Sequence, residues 1–311
     1  MLSQLLDITV ITGILTSMIR LATPYIYAAI GETFGQKSGV LNLGVDGVML
    51  ISAFSAYYIV LQTGNLFLAM LVTIIIGAVM GLVMAVISVS LHAEQGISGI
   101  GIYLFGLGLS DLLFQKLVGT AKPISQGFPE IAIPVLSKIP ILGEVLFNHS
   151  LLVYGAYLLI PISWFILNKT TFGLNINAVG ENPAAADSLG VNVSLVRYKT
   201  LIIGGILSAI AGASLSIALL NVFQQNLTNG LGFIAVALVY FGAWRPFYVL
   251  LGSLIFSFVN ALQVWIQVLG IPIPSDIAVM MPYVLTLVVL IISAGKTRAP
   301  TALTKPYERN G

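Results

Sequence analysis

Nine stretches of this chain are apolar over roughly the length a helix needs to cross a bilayer, about 20 residues. This recurrence limits the fold more than any motif does. The stretches are 10–30, 40–61, 66–91, 97–118, 151–167, 201–223, 231–244, 247–269 and 277–294. In lipid every backbone N–H and C=O must find its partner within the spanning structure, which leaves helices and closed barrels. These stretches are too uniformly apolar for barrel strands, which alternate apolar and polar residues over about 10 positions. The expectation is an all-α, polytopic membrane bundle of nine helices, within a range of eight to ten, built as one membrane domain over residues 1–311.

Two stretches are irregular. Asn42, Gly44, Asp46 and Gly47 stand near the start of the second, so a broken helix is expected there. The seventh is short and follows Asn229, Gly230 and Gly232; it is either a full crossing extended at one end or a re-entrant piece. Broken helices expose backbone polar groups and often line solute cavities.

Composition agrees. Apolar residues make up 58% and charged residues 8%, against about a quarter charged in soluble domains. A soluble enzyme is thereby excluded. The net charge of +2 gives no electrostatic footprint for nucleic acid. With no cysteine there is no thiolate chemistry, and His92 and His149 are too far apart in sequence for a local metal motif. The first basic residue, Arg20, lies inside the first apolar stretch, unlike the basic start of a signal peptide. Orientation follows from the basic residues. With the 168–200 loop in the cytoplasm, that side holds Lys37, Lys169, Arg197, Lys199, Arg245, Lys296, Arg298, Lys305 and Arg309. The other side holds Lys116, Lys122 and Lys138. This places the N-terminus outside and the C-terminus inside.

Two loops exceed a turn. The 119–150 loop, expected outside, contains Pro123, Pro129, Pro134 and Pro140 and the apolar patch Ile131-Ala132-Ile133. It is either a cap on the bundle or part of a platform for an external partner. The 168–200 loop contains Asn182-Pro183-Ala184-Ala185-Ala186-Asp187-Ser188-Leu189-Gly190. Asn182 suits an N-cap, Pro183 the first helical position, the alanines the helix, and Gly190 a left-handed stop. The expected product is a two-turn helix over 183–189. A helix so short is unstable alone, so it docks on its own chain or on a partner. Gly204, Ser208, Gly212 and Ser216, with Gly77 and Gly81, make small-residue stripes that permit close helix contact. Internal packing and a subunit interface are both open for them.

No catalytic motif is present. Ala294-Gly295-Lys296-Thr297 imitates the end of a phosphate-binding loop, but that motif needs a glycine where Leu290 stands. The chain therefore has no visible means of hydrolysing ATP. Arg20, Asp46 and Asp111 are ionisable groups in spans, and so functional candidates by default. Arg20 either pairs with a carboxylate or reaches the interface; Asp111 lies near the outer surface.

Four blocks carry a family resemblance. Arg20-Leu21-Ala22-Thr23-Pro24, Gly31-Glu32 and Ser38-Gly39-Val40-Leu41-Asn42-Leu43-Gly44-Val45-Asp46-Gly47-Val48-Met49-Leu50 resemble the opening of ABC-transporter permeases for nucleosides and simple sugars. Ala178-Val179-Gly180-Glu181-Asn182-Pro183-Ala184-Ala185-Ala186, followed by Gly190-Val191, resembles their cytoplasmic coupling loop. Gly230-Leu231-Gly232-Phe233-Ile234-Ala235-Val236-Ala237, with Phe241-Gly242 and Pro246, and Met281-Pro282-Tyr283-Val284-Leu285-Thr286-Leu287 resemble two more. They stand in the family order and span most of the chain. The larger group also holds ribose and branched-chain amino-acid permeases. Gln36-Lys37 replaces the usual Glu-Arg, Asp46 a Glu, and Leu231 an Arg beside a pathway segment.

The resemblance implies a bacterial plasma-membrane importer. It would have a second, paralogous permease subunit, ATPase subunits that consume the ATP, and an external substrate-binding (lipo)protein. This chain would need no cofactor or metal. Gly180, Asn182, Pro183, Ala184, Ala185, Ala186 and Gly190 would form the coupling element. Asn42, Asp46, Asn229 and Phe233 are the candidate pathway residues, with amide and carboxylate groups for hydroxyls or base edges and a ring for stacking. The alternatives are a permease for simple sugars or other small solutes, and a self-sufficient secondary transporter. The latter would show an internal repeat and an ion site. A membrane enzyme would need clustered acid, base or metal ligands in the spans.

Overall fold

The computed structural model describes residues 7–119, 123–271, 274–293 and 298–308. Lys122, Lys296, Arg309 and the loop-like motif 294–297 lie outside the described residues. The elements in order are α1 (Ile8–Lys37), α2 (Val45–Thr63), α3 (Leu66–Ala85), α4 (Gln95–Leu117), β1 (Glu130–Ala132), α5 (Leu142–Phe147) and β2 (Asn148–Ser150). Then follow α6 (Leu151–Lys169), α7 (Thr171–Glu181), α8 (Pro183–Ser188), α9 (Val193–Ser214), α10 (Leu231–Phe241), α11 (Pro246–Val268) and α12 (Ser275–Ser293). Short π-helical turns, Val86–Ser90 and Leu215–Leu219, finish α3 and α9.

Among the described residues seven helices are long and apolar enough to cross a membrane: α1, α2, α3 with its π turn, α4, α6, α9 with its π turn, and α11. The seventh apolar stretch becomes the 11-residue α10, and the ninth falls on α12. Local chemistry starts several of these helices. Asp7, Asn65, Glu94 and Asn192 each accept hydrogen bonds from backbone amides of the first turn, as good N-caps do. Gly64, at φ +65°, ends α2. Helix α1 runs past its apolar stretch to Lys37, because Glu32, Thr33 and Gln36 are polar but buried within the bundle.

The two ends of the bundle differ. One, here the upper, carries the 123–150 segment; the lower carries α7, α8 and residues 298–308. Tyr57 donates to the Pro123 carbonyl, and the amides of Ser125 and Phe128 donate to the carbonyls of Asn221 and Ile217, so the upper segment caps α2 and α9. β1 and β2 pair antiparallel, with Ile131 opposite His149. At the lower end the Ala302 amide donates to Gly180 and the Thr304 amide to Gly39. Helix α1 starts near the upper end, where Arg20 meets Glu130 at 3.0 Å. The start of α1 and the 298–308 segment therefore lie at opposite ends.

Helix α9 is central, packed by α1, α2 and α3. Its small-residue stripe turns inward: Gly204 meets Gly31, Gly205 meets Gly77 and Gly81, and Gly212 meets Met49. A Cβ on Gly205 would strike the Gly77 carbonyl, so the backbones touch as such stripes permit. The stripe is internal packing.

Candidate functional site

Helix α2 does not start at the lower end. After Lys37 the chain turns back along α1, and the Asn42 amide donates to Glu32 Oε1 at 2.9 Å. Glu32 lies five residues inside α1, about 7.5 Å from its end at 1.5 Å per residue. Gln36 Nε2 also donates to Glu32 Oε1 (3.0 Å), and Trp244 Nε1 donates to Gln36 Oε1 (2.8 Å). The Asn42 side chain closes the turn by accepting from the Gly44 amide. The break expected near Asn42 and Gly44 is therefore a re-entry of the chain into the bundle, with every Asn42 and Glu32 contact buried.

Asp46 then sits inside the bundle at 0% exposure. Its Oδ1 accepts from the Gly232 amide at 2.7 Å and its Oδ2 from the Thr228 hydroxyl at 2.9 Å. Gly230 is the N-cap of α10 and supplies no side chain, so Asp46 caps that helix from another element. Residues 221–230 start at the upper end, where Ser125 and Phe128 hold the chain, and reach Asp46 without regular helix. Helix α10, about 16 Å long, continues to Trp244, which is bonded to Gln36 near the lower end. The seventh stretch is thus a complete crossing of the bundle, half irregular and half helix. Asp111, late in α4, meets the Asn226 amide on the irregular half.

A cavity of about 200 Å3 opens beside this junction, between α1, α10, α11 and α12. Thr228, Asn229, Asn260 and Gln263 supply polar groups, and Phe256 and Tyr283 supply rings. Asn260 reaches the Tyr25 hydroxyl, and Tyr25 packs edge-on against Phe256 with centroids 5.2 Å apart. Of the four candidate pathway residues the cavity takes in only Asn229. Asn42 and Asp46 are sealed below it as structural caps, and Phe233 packs edge-on against Tyr103 at 5.0 Å. Sequence reading passed over Tyr25, Asn260 and Gln263. The available signal was two amide side chains three residues apart in an apolar span, hence on one helix face.

At the lower end α8 forms as its sequence demands. Asn182 Oδ1 accepts from the Ala185 amide at 3.0 Å, and Pro183 takes the first helical position. Gly190, at φ +87°, closes it: its amide donates to Asp187 and the Val191 amide to Ala186. This paired-bond stop is the Schellman arrangement. The helix ends at Ser188, with Leu189 as its C-cap. One face docks on the chain itself. Ala186 is buried, and the Tyr307 hydroxyl donates to Asp187 Oδ2 at 3.0 Å. Gly180 presses against the Lys37 carbonyl. The other face is open: Ala184, Ala185 and Ser188 are exposed, and Leu189 is 85% exposed. The helix thus docks on its own chain by one face and leaves the other exposed.

Residues 298–308 strap this end together. Besides the bonds to Gly39 and Gly180, Thr301 donates to Glu181, and the buried Arg197 donates to the carbonyls of Ser38 and Lys305. His92 Nε2 lies 3.2 Å from the Tyr307 carbonyl.

Known proteins resemble the chain along its length. Residues 14–293 match the family described as the branched-chain amino acid transport system permease component. The nucleoside ABC transporter permease protein NupC of Lactococcus lactis is 36% identical over 93% of this chain and 94% of its own length. The guanosine ABC transporter permease protein NupQ of Bacillus subtilis is 34% identical over 96% of this chain and 98% of its own. A Haloferax volcanii protein provisionally named as a glucose ABC transporter permease, TsgC13, is also 34% identical, over 96% and 98%. No solved structure matches.

Proposed function

Since this chain belongs to the family described as the branched-chain amino acid transport system permease component, we propose that it is the membrane subunit of an ATP-driven importer for a nucleoside or a related simple sugar. The observation that carries this reading is the end-to-end similarity to nucleoside and guanosine permeases at 34–36% identity. The likeness to a sugar permease keeps the simple sugar in the proposal. In this reading ATP is hydrolysed by separate subunits, an external binding protein delivers the solute, and a second permease completes the pathway. The lower end is cytoplasmic: among the described residues it carries Lys37, Lys169, Arg197, Lys199, Arg245, Arg298 and Lys305, against Arg20, Lys116 and Lys138 near the upper end. The open face of α8 then meets the ATPase.

The test is reconstitution in vesicles with the ATPase, the partner permease and the binding protein. Guanosine or glucose should accumulate only with ATP, and the purified chain alone should hydrolyse none. ATP hydrolysis by a clean preparation of this chain, or uptake without the ATPase, would sink the subunit reading.

A further inference from the structure

The cavity at the start of α10 bears on what the chain can admit. Its lining contains no Lys, Arg, Asp or Glu among the described residues; the polar groups are the Thr228 hydroxyl, the amides of Asn229, Asn260 and Gln263, and the phenols of Tyr25 and Tyr283. A helix that starts at a solute cavity ordinarily offers its free amides and its positive end to a carboxylate or phosphate. Here that capacity is already used. The carboxylate of Asp46, 0% exposed, holds the Gly232 amide at 2.7 Å and the Thr228 hydroxyl at 2.9 Å. A second anion brought to this terminus would find those donors already taken and no cation in the lining to offset its charge. Amide side chains, by contrast, present a donor and an acceptor together. They match hydroxyls, ring carbonyls and ring nitrogens without adding charge. Phe256 and Tyr283 add faces on which a flat or cyclic solute can rest.

We infer, on the basis of the permease reading above, that this cavity is the selectivity site of the chain. It takes an uncharged, ring-containing solute bearing hydroxyl or amide groups, and it refuses zwitterionic amino acids and phosphorylated solutes. Asn260 and Gln263, three residues apart on α11, are its specificity-determining residues. Asp46 acts through α10, as a positioning residue that cancels the helix terminus. The family description names branched-chain amino acids, so the inference separates this chain from that part of its own family.

The experiment is uptake by the reconstituted importer, with one binding protein throughout, using guanosine and D-glucose as probes and L-leucine and guanosine monophosphate as challengers. Gln263→Ala and Asn260→Ala should each raise the KM of the imported probe about tenfold and shift the guanosine-to-glucose uptake ratio at least threefold. The amount of chain in the membrane should stay unchanged. The near-isosteric Gln263→Glu and Asn260→Asp, which place a charge in the cavity without changing its size, should cut uptake of the neutral probe at least tenfold. Neither challenger should be imported. If all four variants import guanosine at the wild-type KM and ratio, the cavity assignment is overturned while the nucleoside reading stands. If the importer carries L-leucine and no neutral probe, both are overturned.

Discussion

At the scale of single residues, the groups that look most like ligands in the sequence serve the backbone. Asp46 is an ionisable residue in an apolar span, the usual mark of a solute or ion site. Its two oxygens are instead spent on the amide and hydroxyl that open α10. Asp46→Ala removes both acceptors and leaves the buried Gly232 amide unsatisfied, at a cost of about 1–3 kcal/mol. The expected outcome is a lower unfolding temperature in detergent together with weakened uptake; a variant of wild-type stability would mean that the carboxylate is not the cap. His149 offers a test at the upper end, outside the spans. Burial holds its imidazole below the usual value of 6.5, and its Nε2 lies 2.8 Å from the Val145 carbonyl. A depressed folded-state value means that the unfolded segment binds the proton more readily. His149 therefore adds stability above about pH 6.5 and loses it as pH falls below that. The protection factors of the Ile131 and His149 amides, which remove the intrinsic pH dependence of exchange, should fall on acidification, and in His149→Gln that fall should disappear.

At the scale of elements, what could be read in advance depended on where the partner groups lie. Helix α8 was legible because its cap, proline and stop sit within nine residues of one another. The path of 221–230 was not, since the acceptor that fixes it, Asp46, lies 182 residues from Thr228 and 186 from Gly232 along the chain. Hydropathy also clipped α1 and α9, because the buried polar residues Gln36 and Arg197 interrupt an apolar window without interrupting a helix. The exposed face of α8 gives the prediction that belongs here. Ala185 is exposed, so Ala185→Trp should reach the membrane at normal level while transport and ATPase stimulation fall together. Gly190→Val has open space around it but a left-handed backbone, and should destabilise the turn by about 1 kcal/mol or more. Normal coupled transport in Ala185→Trp would move the lever elsewhere.

For the whole molecule, the apolar stretches foretold the helical membrane bundle, of which seven helices among the described residues are long and apolar enough to cross, and four short blocks foretold the family. The cavity at the start of α10 stayed hidden because its walls come from α1, α10, α11 and α12, which only the folded bundle assembles. The 298–308 strap was equally invisible, being a run of unremarkable composition whose role lies in its contacts. Its bonds to Gly39, Gly180 and Arg197 join the final described segment to the loop after α1, the α7–α8 junction and the start of α9. On a ribosome these residues emerge after all nine apolar stretches have been made. The lower end therefore cannot set during synthesis. A nascent chain would hold its spans yet present an unfastened α8, so the lower end takes its final form only after the last apolar stretch has been made.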